Sequence, residues 1–251
     1  MESSRQQAYD RGHTIFSPDG RLYQVEYARE AVERGSPSVG VRTDEGAVLA
    51  ARKRLPSPLL EADTVEKIHR VDDHVAVASA GHAADARRLV DLAREVGQRH
   101  RLRYGEPIDV ESLTTAIADH VQEFTQTGGS RPYGTALLVA GVDESAPASS
   151  PRLFELDPSG TPYGWRAVAI GNGADAVRGY FESALGDDGG GTQWGIRRAL
   201  EGLGTATDEP LVPEKVDVWR MEPEPVTVQS LANDEIAAAL AESGVDGGQE
   251  N

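Results

Sequence analysis

The order of the predicted elements points to an α+β domain built as a four-layer αββα sandwich. Two strand pairs are followed by two amphipathic helices, and a second series of strands is followed by two more helices and further strands. Each helix buries its apolar face against a sheet, so two strand sets with helices outside both would stack in four layers. The pattern alone supports only a mixed α/β or α+β domain, and 251 residues suit one large domain.

The first predicted helix follows a turn at 16–20, where Pro18 presets φ and Gly20 accepts a positive φ. Apolar residues then recur at helical spacing up to Gly35, which stands where a C-cap is expected. Hairpin signals and apolar periodicity predict the next elements. In chain order these are strands 38–43, 46–54, 67–71 and 74–80, then helices 82–102 and 110–127, the second with Asp109 as N-cap.

The second half of the chain repeats this order with shorter elements. Strands are predicted at 135–142, 152–156 and 167–170, helices at 174–185 and 193–203, strands at 216–221 and 226–229, and a helix at 234–241. Polar, Gly-rich or Ser-rich stretches at 144–150, 186–191 and from 244 onward are expected to be solvated. The predicted organisation is a mobile segment at 1–8, one domain over 9–243, and a disordered acidic tail at 244–251.

The charge balance indicates a high-salt environment. Asp and Glu total 41 against 25 Lys and Arg, for a formal charge of −16, and the lysines are only Lys53, Lys67 and Lys215. In molar salt the Debye length is about 3 Å, so the self-repulsion of an acidic surface is screened. The composition therefore favours a halophile, with an ordinary acidic bacterial protein as the alternative. A nucleic-acid partner is disfavoured, because phosphate backbones need basic surfaces.

Several function classes are excluded or disfavoured by residue content. The chain has no cysteine, so disulfides, thiolate catalysis and Cys-based zinc sites are excluded. The six histidines show no metal-ligand spacing, and no apolar run approaches a membrane span. We expect no metal, no cofactor and no membrane partner, and a cytoplasmic location.

The segment YDRGHTIFSPDGRLYQVEYAREAVERGS, from Tyr9 to Ser36, resembles the signature of α-type subunits of the archaeal proteasome core particle. The resemblance continues through VEKIHRVDDHVAVASAGHAADARRLVD, TQTGGSRPYGTALLVAGVD and AIGNGADAV to about Val177, and fades in the acidic C-terminal third. It implies the N-terminal-nucleophile hydrolase fold. It also implies a non-catalytic subunit of a threonine-type endopeptidase complex that serves ubiquitin-independent proteolysis.

The same resemblance implies partners and roles. The subunit would form heptameric rings with other α subunits, template the rings of β subunits, and gate the entry of unfolded polypeptide. It would also dock an AAA-type regulatory ATPase. The rival hypothesis is an active threonine- or serine-type hydrolase of the same fold, in which the residue after Gly35, Ser36, would be the nucleophile and Lys67 would activate it. Against that hypothesis, Arg52 stands where the catalytic acid is expected, and Pro37 follows Ser36.

Residues of the family's gate and docking pocket match positions in this chain. Tyr9, Asp10, Pro18 and Tyr27 match the gate cluster, and the polar segment ahead of Tyr9 would be the flap that closes the pore. The pocket that receives the C-terminal carboxylate of an ATPase tail ending in hydrophobic–Tyr–any is matched by Lys67, Gly35, Glu26 and His82. His82 replaces a more usual apolar residue, which could make docking pH-sensitive.

A second matching loop would narrow the axial channel and touch the neighbouring copy in the ring. It contains Gly128, Gly129, Arg131 and Tyr133, while Thr127 and Ser130 replace more apolar residues.

The run Gly171–Ala176 has the outline of a dinucleotide-binding fingerprint, G-x-G-x-x-A, and leaves a nucleotide-binding protein as a third hypothesis. No second parallel strand with an acidic end follows it, so a tight strand-to-helix turn is the favoured interpretation.

Overall fold

The computed structural model describes residues 22–126, 130–143, 150–186 and 189–245. The helices there are α1 (Tyr23–Glu33), α2 (Ala83–Tyr104), α3 (Val110–Gln126), α4 (Ala174–Ala184), α5 (Thr192–Thr205) and α6 (Asn233–Ser243). The strands are β1 (Ser38–Arg42), β2 (Ala47–Arg52), β3 (Ile68–Asp72), β4 (Val75–Gly81), β5 (Thr135–Asp143), β6 (Ser150–Leu156), β7 (Pro162–Gly164), β8 (Ala167–Ile170), β9 (Val216–Pro223) and β10 (Val226–Ser230). Within these ranges, no helix is both long and apolar enough to cross a membrane.

The strands form two five-stranded sheets. The first has the order β10-β9-β2-β1-β8 and the second β3-β4-β5-β6-β7. Every strand pair in the described part of the chain is antiparallel. Neighbouring strands in the first sheet come from distant parts of the sequence, since β9 pairs with β2 and β8 pairs with β1.

Most strands contribute side chains to two separate apolar clusters, one between the two sheets and one between a sheet and its helices. In β2, Ala47, Leu49 and Ala51 belong to the apolar cluster between the sheets, whereas Val48 and Ala50 belong to the cluster under the helices. Side chains of a strand point alternately to its two faces, so one strand supplies both interfaces. Many residues between the sheets are alanines, which allow the two sheets to approach closely.

The helices complete the four layers. Helices α4, α5 and α6 cover the first sheet through a cluster that includes Phe181, Leu200 and Leu240. Helices α2 and α3 cover the second sheet through a cluster that includes Leu89 and Ile117. Helix α1 packs against β4 and β5, and its Val32 joins the cluster between the sheets. The predicted four-layer αββα sandwich is confirmed.

A few element boundaries differ from the prediction. The short strand β7 was not predicted, because three exposed residues show no alternation that could be recognised. Helix α2 continues two residues further, to Tyr104, and ends on Gly105 at φ +79°. Asp109 acts as the predicted cap of α3, accepting a hydrogen bond from the Ser112 N–H at 2.8 Å. The predicted turn at 16–20, the segment 1–8, and much of the solvated stretches lie outside the described residues.

Three of the four outermost strands are short or irregular. In the first sheet, β8 has four residues, and β10 follows Pro225 and ends on two exposed residues. In the second sheet, the register of β3 shifts between Arg70 and Asp72, and β7 has three exposed residues beginning with Pro162.

Candidate functional site

Lys67 lies immediately before β3, on the wall of an open cavity of about 630 Å³. Its Nζ donates a hydrogen bond to the Ser36 carbonyl oxygen at 3.2 Å, and its backbone N–H donates to Asp217 Oδ2 at 3.4 Å. We call this space the Lys67 cavity. Its walls come from the end of α1, the start of β3, the end of β4 and one face of α2, including Gly35, Ser36, His69, Gly81 and Arg94.

The electrostatics of Lys67 suit an incoming anion. Burial lowers the pKa of the Lys67 ammonium to about 8, and the negative charge of Asp217 offsets only part of that effect. Asp217 is shared, because its Oδ1 also pairs with Lys53 Nζ at 2.8 Å. A buried lysine whose charge is only partly neutralised is stabilised by a carboxylate that enters its cavity.

Two glycines bring the backbone together beside Lys67. A Cβ on Gly35 would overlap the amide nitrogen of Gly81 and lie 2.9 Å from the Val32 carbonyl oxygen. Gly81 itself has φ +110°, a conformation that side chains with a Cβ rarely adopt. The end of α1 and the end of β4 can therefore touch only because both positions are glycine.

The surroundings of Ser36 do not resemble those of an activated nucleophile. The Ser36 hydroxyl donates a hydrogen bond to the Arg52 carbonyl oxygen, which cannot accept its proton. The Arg52 guanidinium, at the position expected for a catalytic acid, pairs with Glu209 and with Thr207 Oγ1, the latter at 2.9 Å. The Lys67 ammonium bonds the carbonyl oxygen of Ser36, and the Ser36 hydroxyl is tied elsewhere.

The remaining predicted pocket residues lie apart from Lys67 within this chain. His82 and Tyr27 line a separate cavity of about 350 Å³, which shares Ala83 and Ala84 with the Lys67 cavity. Glu26 lines neither cavity, and its Oε1 pairs with Arg29 at 2.9 Å. Lys67 and Gly35 are thus the two predicted pocket residues that one cavity brings together. Of the predicted gate residues, only Tyr27 is described, since Tyr9, Asp10 and Pro18 lie outside the described ranges.

Arg131, from the predicted channel loop, is held by a fork of hydrogen bonds. Its Nη1 and Nη2 donate to the two carboxylate oxygens of Asp85 at 2.6 and 2.7 Å. The Asp85 carboxylate also accepts a hydrogen bond from the Gly134 N–H at 2.9 Å. Burial by itself would raise the pKa of Asp85, but these bonds and the Arg131 charge lower it on balance. The pair joins the loop to the first turn of α2.

Tyr133 is buried behind Arg131, where its hydroxyl lies 3.1 Å from His120 Nε2. Its ring packs against Phe124 of α3. Gly128, Gly129 and Thr127 of the same predicted loop are not among the described residues.

The Gly171–Ala176 run is a strand-to-helix turn. Gly171 and Gly173 have φ of +93° and +73°, and the Asn172 N–H donates to the Gly35 carbonyl oxygen at 2.8 Å. The preceding strand β8 pairs antiparallel with β1, whereas a dinucleotide fold needs parallel strands at this point.

Sequence reasoning missed the carboxylate that contacts Lys67 from the opposite sheet. Asp217 lies on β9, and it contacts both Lys53 and Lys67. A carboxylate in the apolar run VDVW was a usable signal, because a partly buried charge in a strand usually has a partner. In the part of the chain that the structure covers, no group of three His, Asp or Glu residues could hold a metal ion.

Comparison with known proteins gives two family matches and many relatives. The family described as "Proteasome subunit" matches residues 32–218, and the N-terminal signature of the A-type proteasome subunits matches residues 9–31. The chain is 54% identical to the proteasome alpha 2 subunit of Haloarcula marismortui, covering 96% of this chain and 97% of that one. It is 55% identical to the proteasome alpha 1 subunit of Haloferax volcanii, covering 94% and 92% of the two chains. It is 50% identical to the proteasome alpha subunit of Haloquadratum walsbyi, covering 98% and 97%.

Proposed function

The chain belongs to the α-type proteasome subunit family, and on that premise we propose that it is a non-catalytic subunit of an archaeal core particle. It would form heptameric outer rings, template β-subunit rings, gate the entry of unfolded polypeptide, and dock a regulatory AAA-type ATPase in the cytoplasm. The observation that carries the docking role is Lys67, a partly desolvated ammonium on the wall of an open cavity.

The non-catalytic role is supported by the chain around Ser36. Ser36 lies between α1 and β1, so its nitrogen belongs to a peptide bond inside a folded segment. A catalytic relative would have to cut at this bond to free its nucleophile, and that would remove the signature segment, 9–31.

Imaging the purified protein in molar KCl tests the assembly directly. We expect rings with sevenfold symmetry in electron micrographs, and a chain mass of 26.8 kDa. Monomers at every protein concentration would contradict the ring proposal. A chain shortened by about the first 35 residues would favour the active hydrolase instead.

We predict that the rings depend on salt. The formal charge of −16 repels itself when the Debye length rises from about 3 Å in molar KCl to about 10 Å near 0.1 M. Rings should dissociate or unfold over that range, which sedimentation and thermal melts would detect. Sucrose at matched osmolality is the control, because it does not screen charge. Unchanged rings and melting temperature at low salt would contradict the halophile interpretation.

We also predict that the polar segment before Tyr9 acts as a gate. Deleting residues 2–8 should raise the hydrolysis of long unstructured peptides by the α–β particle without ATPase, and leave very short peptides unaffected. Deleting residues 246–251, a similarly polar terminal segment, is the matched control. Equal rates for the two deletions would identify residues 2–8 as an ordinary frayed terminus.

A further inference from the structure

All three lysines of this chain lie in one region of the fold, where Lys53 and Lys67 contact Asp217 and Lys215 contacts the backbone of Lys53. Asp217 pairs with Lys53 Nζ and accepts a hydrogen bond from the Lys67 backbone, while the Lys53 N–H donates to the Lys215 carbonyl oxygen at 2.7 Å. The other 22 basic residues of the chain are arginine. Lysine differs from arginine in presenting a compact point charge, which fits a single carboxylate.

Lys53 and Lys215 line a second open cavity of about 500 Å³, which we call the Lys215 cavity. It adjoins the Lys67 cavity, and the two share Arg34, Gly35, Ser36 and Arg54 as walls. Its charged lining consists of Arg34, Arg52, Lys53, Arg54 and Lys215, with Glu209 as the carboxylate.

Two of these cations are available to a ligand. Of the five, Arg34 pairs with Glu30, Arg52 with Glu209, and Lys53 with Asp217. Within residues 22–126, 130–143, 150–186 and 189–245, neither Arg54 nor Lys215 has an ion-pair partner. The Lys215 cavity therefore has two cations that are not neutralised by the described part of the chain.

The local charge is opposite to that of the whole molecule. Among the described residues, eight Lys and Arg but only three Asp and Glu line the two cavities, although the full chain has 25 basic and 41 acidic residues. In molar salt, charges more than a few ångströms apart hardly interact, so this group of cations cannot attract a distant anion. Cations grouped in a cavity act on an anion that enters and makes direct contact.

We propose that the Lys215 cavity is a second anion subsite, which takes an acidic side chain of the same partner tail whose terminal carboxylate Lys67 receives. This rests on the proposed docking function. The shared walls make the geometry possible, because an extended peptide advances only about 3.3–3.6 Å per residue. A tail anchored at Lys67 can therefore reach the Lys215 cavity within its next few residues.

Peptide binding to the assembled α ring in molar KCl tests this. Pairs of fluorescent peptides ending in hydrophobic–Tyr–any are compared. The two members of a pair differ only at one of the few positions before that ending, where one has Glu and the other has Gln. At one or more positions the Glu peptide should bind roughly threefold more tightly, which corresponds to one partly exposed ion pair. Equal affinity of Glu and Gln peptides at all positions would overturn the proposal.

Variants assign the preference to the cavity. Lys215→Gln, which changes the Lys215 cavity alone, should reduce the preference for Glu while leaving the affinity of the Gln peptide unchanged, which also shows that the ring is intact. Arg103→Gln, outside both cavities, is the matched control. A preference for Glu that survives Lys215→Gln would overturn the proposal. If Lys67→Ala weakens both peptides while Glu and Gln bind equally, only the second subsite is wrong. If neither peptide binds the unmodified ring, the docking function and the subsite both fail.

Discussion

Replacing Lys67 with alanine should strongly reduce ATPase-driven protein degradation by the assembled particle and leave cleavage of very short peptides unchanged. Lys67 is the cation that we propose receives the tail carboxylate, and its hydrogen bond to Ser36 leaves donors for a ligand. A charge-assisted contact is worth about 1.5–3 kcal/mol, and the loss recurs at every pocket around the ring. Docking should therefore weaken at least tenfold per tail.

Three further measurements sharpen this test. Lys67→Arg should also impair docking, because a planar guanidinium does not fit a site built for a point charge. Because the pKa of Lys67 is lowered to about 8, Lys67 loses its positive charge as pH rises through that value, and tail binding should weaken above it. Arg103→Ala is the control for removing a cation outside the cavity.

The rival hydrolase hypothesis makes the opposite claim for the same variant. If Lys67 activated a nucleophile at Ser36, Lys67→Ala would abolish even the cleavage of very short peptides by this chain alone. Normal ATPase docking and normal protein degradation by the Lys67→Ala particle would show that the pocket assignment is wrong.

Replacing Gly81 with alanine should cause the largest loss of stability among single glycine substitutions near the site. The added Cβ would overlap the Gly134 carbonyl oxygen, which is backbone and cannot rotate away, and φ is +110°. Backbone strain of this kind costs on the order of 1–3 kcal/mol, and the overlap adds to it. The melting temperature in molar KCl should fall by at least about 6 °C, at roughly 2–4 °C per kcal/mol.

Gly105→Ala is the matched control for that experiment. Gly105 also has a positive φ, +79°, but a Cβ there meets none of the described residues within 4 Å. Its substitution isolates the conformational cost, about 1 kcal/mol. Equal melting temperatures for the two variants would contradict the claim that the close contact with the Gly134 backbone makes a Cβ at Gly81 more costly than one at an open position.

The individual helices and strands were predictable from sequence because they follow from local periodicity, whereas their four-layer arrangement was implied by the resemblance. Hairpin signals and helical stripes depend on residues a few positions apart, and they located all six described helices and nine of the ten strands. The pairing of β2 with β9 was not predictable, because residues 47–52 and 216–221 meet only in the folded chain. No local pattern encodes which distant strand completes a sheet.

The site was predictable only in part, and for a related reason. Lys67 and Gly35 were identified through resemblance, which selects positions without saying what surrounds them. The recognisable motifs fade after Val177, yet the family match continues to residue 218. Lys215 and Asp217 lie in that stretch, and they were missed although lysine is rare in this chain.

The irregular outer strands decide how copies of this protein can meet. A long, regular edge strand offers a row of unpaired amides to any neighbour, and sheets that join in this way have no natural end point. Here β7, β8 and the bulged β3 are too short or too uneven for continuous main-chain pairing between molecules. Identical copies can therefore be packed side by side without seeding fibrils. At these three edges, contacts between copies would rely on side chains, which can fix an angle and so allow an assembly to close on itself.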